Sequence, residues 1–490
     1  MDKYSEQFRP QFHFSPLNNW MNDPNGLVYY KGLYHLFYQY YPNDIVWGSM
    51  HWGHAISKDL IYWEHKPIAL FPDELGDIFS GSVVVDTMNS SGLGSKTNPP
   101  LVAIFTYHSM EGENAGRIDY QTQGIAYSMD NGDTWKKYSD NPVIKNTGYK
   151  DFRDPKVFWD GNSKQWILVL VAGNYVKFYK SDDLINWKHS GDFGKETGAH
   201  GGVWECPDLF EITVDQTNEK KWVLIISIDT GAPNGGSGTQ YFIGDFDGNT
   251  FTCEHDDVKW IDLGTDNYAG ITFNNTPTEK RICISWMSNW QYGQEVPTKP
   301  WRGAMTLPRE LSLVQEHNQY FIHSNMVPSF QSIKTNVLKR DTIDLTDIFI
   351  VEHPNFNQSE ISFVANLSKN IRLQFKNAKG ECLILEINPL QGEIIVDRRK
   401  SGFVNFEKRF ANKIHVCPYK KVAKDANISI VLDWSSVEFF VDNGKYVMTD
   451  LLFPSAFYNV LEISSDEKNA IANFNINAIE SVWKEKPCST

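Results

Sequence analysis

No run of about 18 or more apolar residues occurs anywhere in the 490-residue chain, so no segment reads as a transmembrane helix. The opening stretch, Met1 to Pro10, is polar and has no apolar core, so no signal peptide is read there. Cysteine is scarce: six, at positions 206, 253, 283, 382, 417 and 488, with no C-x-x-C pair. That spacing excludes a zinc ribbon and leaves scattered thiols, or one or two disulfides, as the readings. Positive charge is short as well. The 46 Lys and Arg face 60 Asp and Glu, a net charge of −14, which argues against a general nucleic-acid binder and a polybasic membrane-surface protein. Helical periodicity is hard to find in the first 320 residues, and no later segment looks helical. There is no G-x-S-x-G, no P-loop, no dinucleotide fingerprint and no H-E-x-x-H. The thirteen His are dispersed. His35, His51 and His54 lie close together on apparent strands and read as structural or sugar-binding rather than metal-ligating. No metal site and no cofactor is expected.

What is present is an ordinary globular composition, 41% hydrophobic and 22% charged, long enough for two domains. Aromatics are abundant at 14%, which suits stacking on sugar rings, although most aromatic side chains are core. Sequons stand at Asn89, Asn274, Asn357, Asn366 and Asn427. Strand signals dominate. Leu27–Tyr30 and Leu33–Tyr40 flank Lys31-Gly32, and Val157–Trp159 and Gln165–Val171 follow the same plan around Asp160-Gly161. Asn131-Gly132, Asp247-Gly248 and Asn443-Gly444 sit between apolar or aromatic runs, the strongest short hairpin signal. A weak repeat runs through Ile56–Trp63, Tyr127–Trp135, Tyr179–Trp187 and, degenerately, Gly244–Phe251. Its anchoring aromatics are Trp63, Trp135, Trp187 and Phe251. One strand–turn–aromatic unit every 50–70 residues predicts about five propeller blades over residues 1–325; the competing reading is unrelated hairpins sharing a turn chemistry. A looser stretch, 326–346, is expected as a linker. The short alternating strands over 347–490 predict a β-sandwich, making the whole chain all-β.

Three acidic clusters carry candidate chemistry. Asp23 lies in Trp20-Met21-Asn22-Asp23-Pro24-Asn25-Gly26, read as a tight turn before the Leu27 strand. Asp154 follows Arg153 in Asp151-Phe152-Arg153-Asp154-Pro155, where the neighbouring guanidinium would hold the carboxylate ionised. Glu205 lies between Trp204 and Cys206, ahead of Pro207, where apolar neighbours would raise its pKa. Taken singly, each is better explained as a turn cap, a surface ion pair or a solvated Glu. Together they are three carboxylates, each within two residues of a Pro and at the start of a strand, in three repeat units. Inner propeller strands start around one pocket, so the three would converge. Two carboxylates flanking one bond are the machinery of glycoside hydrolysis.

With those motifs in view, the chain resembles glycoside hydrolase family 32, the invertases, levanases and inulinases (β-fructofuranosidases). The likeness includes Trp47–His54, Phe79–Ser82, Ser288–Trp290 and Pro300–Arg302, and reaches Asp433–Glu438 in the second domain. Microbial exo-levanases and exo-inulinases look most similar. The resemblance implies a five-bladed β-propeller followed by a β-sandwich. It implies Asp23 as nucleophile, Glu205 as acid/base and Asp154 as transition-state stabiliser with Arg153 beside it. Asn22, Gln39, Trp47, Phe79, Ser80 and Trp290 would line a fructose pocket, with Trp20 at its rim. Trp434 departs from the pattern, standing where a basic residue is expected. The implied reaction is two-step hydrolysis with retention, needing no cofactor, its two carboxylates ~5–5.5 Å apart. Leaving-group contacts are expected from 73–77, 108–117 and 232–238. The implied partner is a sugar or fructan, with no nucleic acid and no membrane, and a fructan substrate implies secretion. Still open are a sucrose-specific invertase, a fructosyltransferase, an arabinan- or xylan-acting glycosidase of related fold, and a non-catalytic fructan-binding protein.

Overall fold

The apolar runs of the first 325 residues become strands that pair antiparallel with their chain neighbours, each hairpin folding back at a Gly-, Asn- or Asp-containing turn. The computed structural model describes residues 4–278, 280–367, 369–420 and 425–483. In its first part it holds five separate antiparallel sheets, each built on four strands. Their innermost strands are Asn19–Tyr30, Asp77–Val85, Phe152–Asp160, Trp204–Thr213 and Tyr268–Thr272. Each touches the next, and the fifth touches the first, so the sheets are blades closed around one axis. These strands are buried on both faces and therefore lack the alternation of a half-exposed strand. The ring closes where Trp301–Arg302 runs parallel beside Asn19 and Trp20, and where Asn274 exchanges backbone hydrogen bonds with Leu27 and Tyr29.

The repeat occupies one position in four blades, the turn before the outermost strand. Ser57 Oγ accepts the Leu60 N–H at 2.8 Å, and Asp59 Oδ1 accepts those of Ile61 and Tyr62. Ser128 with Asp130, and Ser181 with Asp183, repeat this scheme; Asp247 supplies its acidic half. These side chains satisfy turn N–H groups that the ladder leaves unpaired. The fifth blade turns at His317-Asn318 instead, both at positive φ, so it carries no copy of the motif.

A correction concerns Asp23-Pro24-Asn25-Gly26. These residues form no turn ahead of a strand: the strand runs unbroken from Asn19 to Tyr30 and is bulged. All five inner strands bulge at the same level, two residues facing one. The doubled pairs are Asn22-Asp23, Phe79-Ser80, Asp154-Pro155, Cys206-Pro207 and Ala269-Gly270. Pro155 and Pro207 fit because a bulge interrupts the ladder and asks for no N–H there.

The second part is two six-stranded sheets whose facing side chains, among them Ile361, Phe363, Leu373, Phe375, Leu385, Phe439 and Phe474, form one apolar core. Residues 326–346 are not a loose linker. Pro328–Ile333 is a 3₁₀ turn burying Phe330 and Ile333, and Lys334–Asp344 is an edge strand paired along its length with Ala470–Ile479. Its exposed Lys339, Arg340 and Asp341 hide its strand character, as charged side chains on a sheet edge do. Five cysteines are free thiols, and Cys488 lies outside the described residues. Two sequon asparagines are buried: Asn274 donates to Val83 and Val157 carbonyls, and Asn357 is wholly enclosed, so neither is open to glycosylation.

The two parts share a buried polar seam. His13 Nδ1 lies 2.7 Å from Asp433 and its Nε2 2.7 Å from Glu438. Arg309 joins Glu438 to Asp262, and Arg398 bonds Asp266. Burial opposes charge on His13, yet the two carboxylates win and push its pKa up to about 9. Glu438 is likewise opposed by burial, but Arg309 and His13 bring it down to about 2. Removing one partner of such a buried network costs about 3–5 kcal/mol. His13→Ala is therefore expected to lower the urea midpoint and melting temperature of the whole protein by that measure. The His13 contribution is full below about pH 6.5 and fades as pH rises through 9; that of Glu438 is full above about pH 4.5 and fades as pH falls towards 2. Melting temperature against pH checks this: His13→Ala should flatten the alkaline decline.

Candidate active site

At the level of the bulges the inner strands open into a pocket of about 280 Å³. Asn22, Asp23, Gln39, Trp47, Phe79, Ser80, Arg153, Asp154, Glu205 and Trp290 all line it. Trp20 does not, which corrects its expected place at the rim. It is 0% exposed, stacks on Trp290 and donates its indole N–H to Asn22 Oδ1 at 2.7 Å. An indole at that point of the strand faces the core, because the bulge that turns Asn22 and Asp23 inward begins only after Met21.

The three carboxylates are held differently. Asp23 Oδ2 accepts hydrogen bonds from Ser80 Oγ at 2.8 Å and the Cys206 thiol at 3.4 Å, and its Oδ1 from Asn22 Nδ2 at 3.1 Å. Asp154 Oδ2 accepts the Cys206 backbone N–H at 3.0 Å, which links the third blade to the fourth. Glu205 meets Arg153 Nη2, while Arg153 Nη1 donates to Asp151 at 2.7 Å. The guanidinium therefore grips Glu205 and Asp151, and stands 3.8 Å from Asp154. As expected from their adjacency, Arg153 is the strongest influence favouring the ionised form of Asp154. Burial outweighs the arginine there, and the nearby Asp23 adds to it, so the Asp154 pKa is raised. Asp23 is raised by burial against the hydrogen bonds of Ser80 and Asn22. Glu205 is displaced furthest, to about 8: burial and the facing Asp154 and Asp23 outweigh Arg153. An acid kept protonated near neutrality faces a carboxylate fixed by three donors, the division of labour that acid-assisted bond cleavage needs.

Around this core, Trp47 meets Phe79 edge-on at 6.1 Å, and Phe79 stacks flat on His108 at 4.1 Å. Gln39 is anchored by Asn25 Oδ1 and the Ile78 carbonyl. Sequence reasoning passed over Gln121 and Gln294 and gave Asp151 no role of its own; His108 and Glu113 fall in the segment expected to contact a leaving group, and all five line the pocket. Asp151, two residues before Arg153, carried a readable signal, an acid at i−2 of a motif arginine. Of the three segments expected to contact a leaving group, 108–117 does border the pocket: Ser109 caps a short helix, Met110–Asn114, that carries Glu113 beside His108. Residues 73–77 instead brace it, Asp77 accepting from Ser49 and Asp73 from Lys137. Residues 232–238 lie behind Trp290, whose N–H meets Ser237 Oγ. His35 and His54 bond each other beneath Phe37, away from the pocket, and no cluster able to hold a metal occurs among the described residues.

A propeller whose central pocket sets acidic side chains of unlike ionisation around one small space is the apparatus of a glycoside hydrolase. Comparison with known proteins agrees. The family model for the glycosyl hydrolases family 32 N-terminal domain matches residues 13–324, and that for the family 32 C terminal matches residues 326–479. The chain is 42% identical to a levanase of Bacillus subtilis, over 99% of this chain and 72% of that one. It is 38% identical to an extracellular exo-inulinase of Aspergillus niger, over 92% and 90%. The crystal structure of an exo-inulinase from Aspergillus awamori superposes with a TM-score of 0.90 at 36% identity, covering 98% of this chain and 100% of that one. The protein belongs to glycoside hydrolase family 32.

With Glu205 as the proposed acid, kcat/KM should fall as pH rises through about 8. Arg153 lowers the Glu205 pKa; replacing it by Met should move that alkaline limb to higher pH, besides lowering the rate. Glu205→Gln should abolish the limb. A pH–rate profile of the three proteins checks the order.

Proposed function

We propose that the protein is an exo-acting β-fructosidase, releasing terminal β-D-fructofuranosyl units from fructans and from sucrose with retention at the anomeric carbon. The observation carrying this reading is Asp23. It is presented by a bulge, oriented by Ser80, Asn22 and Cys206, and shares a small pocket with a high-pKa Glu205. In the first step Asp23 attacks the anomeric carbon while Glu205 protonates the departing oxygen. Arg153 holds Glu205 in place and Asp151 holds Arg153. As positive charge grows on the sugar, Asp154 binds its hydroxyls more strongly, favouring the transition state over the bound substrate. Glu205, now a base, activates water to free the sugar from Asp23. Asn22, Gln39, Trp47, Phe79, Ser80 and Trp290 bind the fructosyl ring, and a pocket at the small end of ligand sites suits a chain end rather than a chain interior.

Glu113 and His108, on the rim, are placed to meet the leaving sugar. The relatives bear names of fructan- and sucrose-splitting enzymes, and the inulinases among them are extracellular. A polymeric fructan stays outside cells, which supports secretion. Within this reading residues 1–325 are the catalytic unit, and the sandwich braces it through the His13 seam.

Time-resolved product analysis on sucrose, inulin and levan tests the proposal. Fructose alone should appear from the polymers, and Asp23→Ala should abolish it; Glu205→Ala should lower kcat by roughly 10²–10⁴. Activity surviving in Asp23→Ala would overturn the nucleophile, and polymers left intact would reduce the enzyme to an invertase. Longer products from sucrose would make it a transferase.

A further inference from the structure

A cavity larger than the pocket described above, about 540 Å³, lies at the opposite mouth of the propeller, where the inner strands of the second to fifth blades end. The two spaces are separated by polar links across the axis. Lys156 donates to Asp208 and to the Thr272 carbonyl, and Asn274 donates to Val83 and Val157. Three aromatic rings that remain partly exposed, Phe158, Trp159 and Trp222, form its apolar side. Trp159 is propped edge-on by Trp166, and Trp222 packs against Phe158 and Phe246, so the walls are rigid. The polar side carries both signs of charge. Asp160 and Glu211 border it with Arg281, whose guanidinium is fixed by the Glu211 carbonyl and the face of Phe210. Asp208, wholly buried, also borders the space. Its Oδ2 accepts hydrogen bonds from Lys156 and from the Thr272 N–H and hydroxyl, whereas its Oδ1 is buried and accepts none. A buried acceptor without a donor is costly, and a ligand hydroxyl relieves it.

From these features we infer a second, non-catalytic saccharide site at this mouth, taking a fructosyl unit of the same polymer; the choice of sugar rests on the proposed function. The chemistry selects a neutral ring with an apolar face and a fringe of hydroxyls. A phosphate would meet Asp160, Asp208 and Glu211. A lipid chain would strip water from Arg281 and these carboxylates while offering them no hydrogen bond. A polymer held at one mouth while its free end is cut at the other by a second molecule would raise the local concentration of chain ends.

The test is calorimetric titration of the Asp23→Asn protein with a fructan trisaccharide. Two classes of site are expected, and adding Trp222→Ala should remove one. Because Trp222 also packs in the fourth blade, Gly161→Trp provides an independent block: Gly161 lines the cavity and a Cβ there meets nothing within 4 Å, so a bulky side chain is introduced at the mouth without a clash at its Cβ. In the otherwise unaltered enzyme, Gly161→Trp should leave kcat/KM on sucrose within about twofold while raising KM on levan or inulin severalfold. One class of site, unaffected by Gly161→Trp, overturns the inference. Failure of the unaltered protein to hydrolyse any fructoside overturns the proposed function instead, and the titration then decides the second site by itself.

Discussion

Strands that converge on an axis with a regular pleat would send alternate side chains into the two neighbouring blades and none squarely into the centre. The two-for-one bulge, set at the same level in all five inner strands, breaks that rule. It rotates Asp23, Ser80 and Asp154 into one pocket and lets Cys206 reach two of them. Positive φ at Asp154 and Cys206 marks where the backbone pays for this. Every functional feature of the molecule depends on that shared irregularity, including the tolerance for a proline in the third and fourth inner strands.

Placing three acids together creates the next constraint. Burial and mutual repulsion disfavour their ionised forms, and Arg153 is the single cation lining the pocket. Of the three, its guanidinium bonds only Glu205, standing 3.8 Å from Asp154 and turning its other nitrogen to Asp151, so the acids are not equalised. Asp23 depends on neutral donors instead, each worth less than a full charge. Burial raises all three, and Glu205 reaches about 8 because the facing Asp154 and Asp23 add to burial and outweigh its charged donor.

The sandwich enters through a second set of buried charges. His13, Asp433, Glu438, Arg309, Asp262, Arg398 and Asp266 form a seam with little access to water. Such networks fix one relative placement of two bodies, because any other would leave charges buried without partners. The apolar cluster that holds Trp20 and Trp286 beneath the pocket continues to Val431 and Phe440 of the sandwich, so the support of the pocket is shared.

Much of this was legible in the order of residues. The Ser-x-Asp turns and their aromatics are local chemistry, and they marked four blades; the fifth was silent because His317-Asn318 makes its turn by backbone conformation alone. The acidic motifs were legible because a proline beside a carboxylate is a local signal. Lys334–Asp344 was misread since an edge strand needs no apolar alternation, and its partner lies more than a hundred residues away. Trp20 was misplaced, and the grip of Arg153 on Glu205 and Asp151 was not foreseen, because which way a side chain points past a bulge depends on the opposing strand. The sequence by itself carried the all-β architecture, about five blades and the three acids proposed for the chemistry, but not the strand at Lys334–Asp344. Only the tertiary structure decided which acid each donor serves, how far burial shifts each proton, and that a second cavity lies across the axis. Those quantities depend on distances between residues remote in the chain, and no local pattern encodes them.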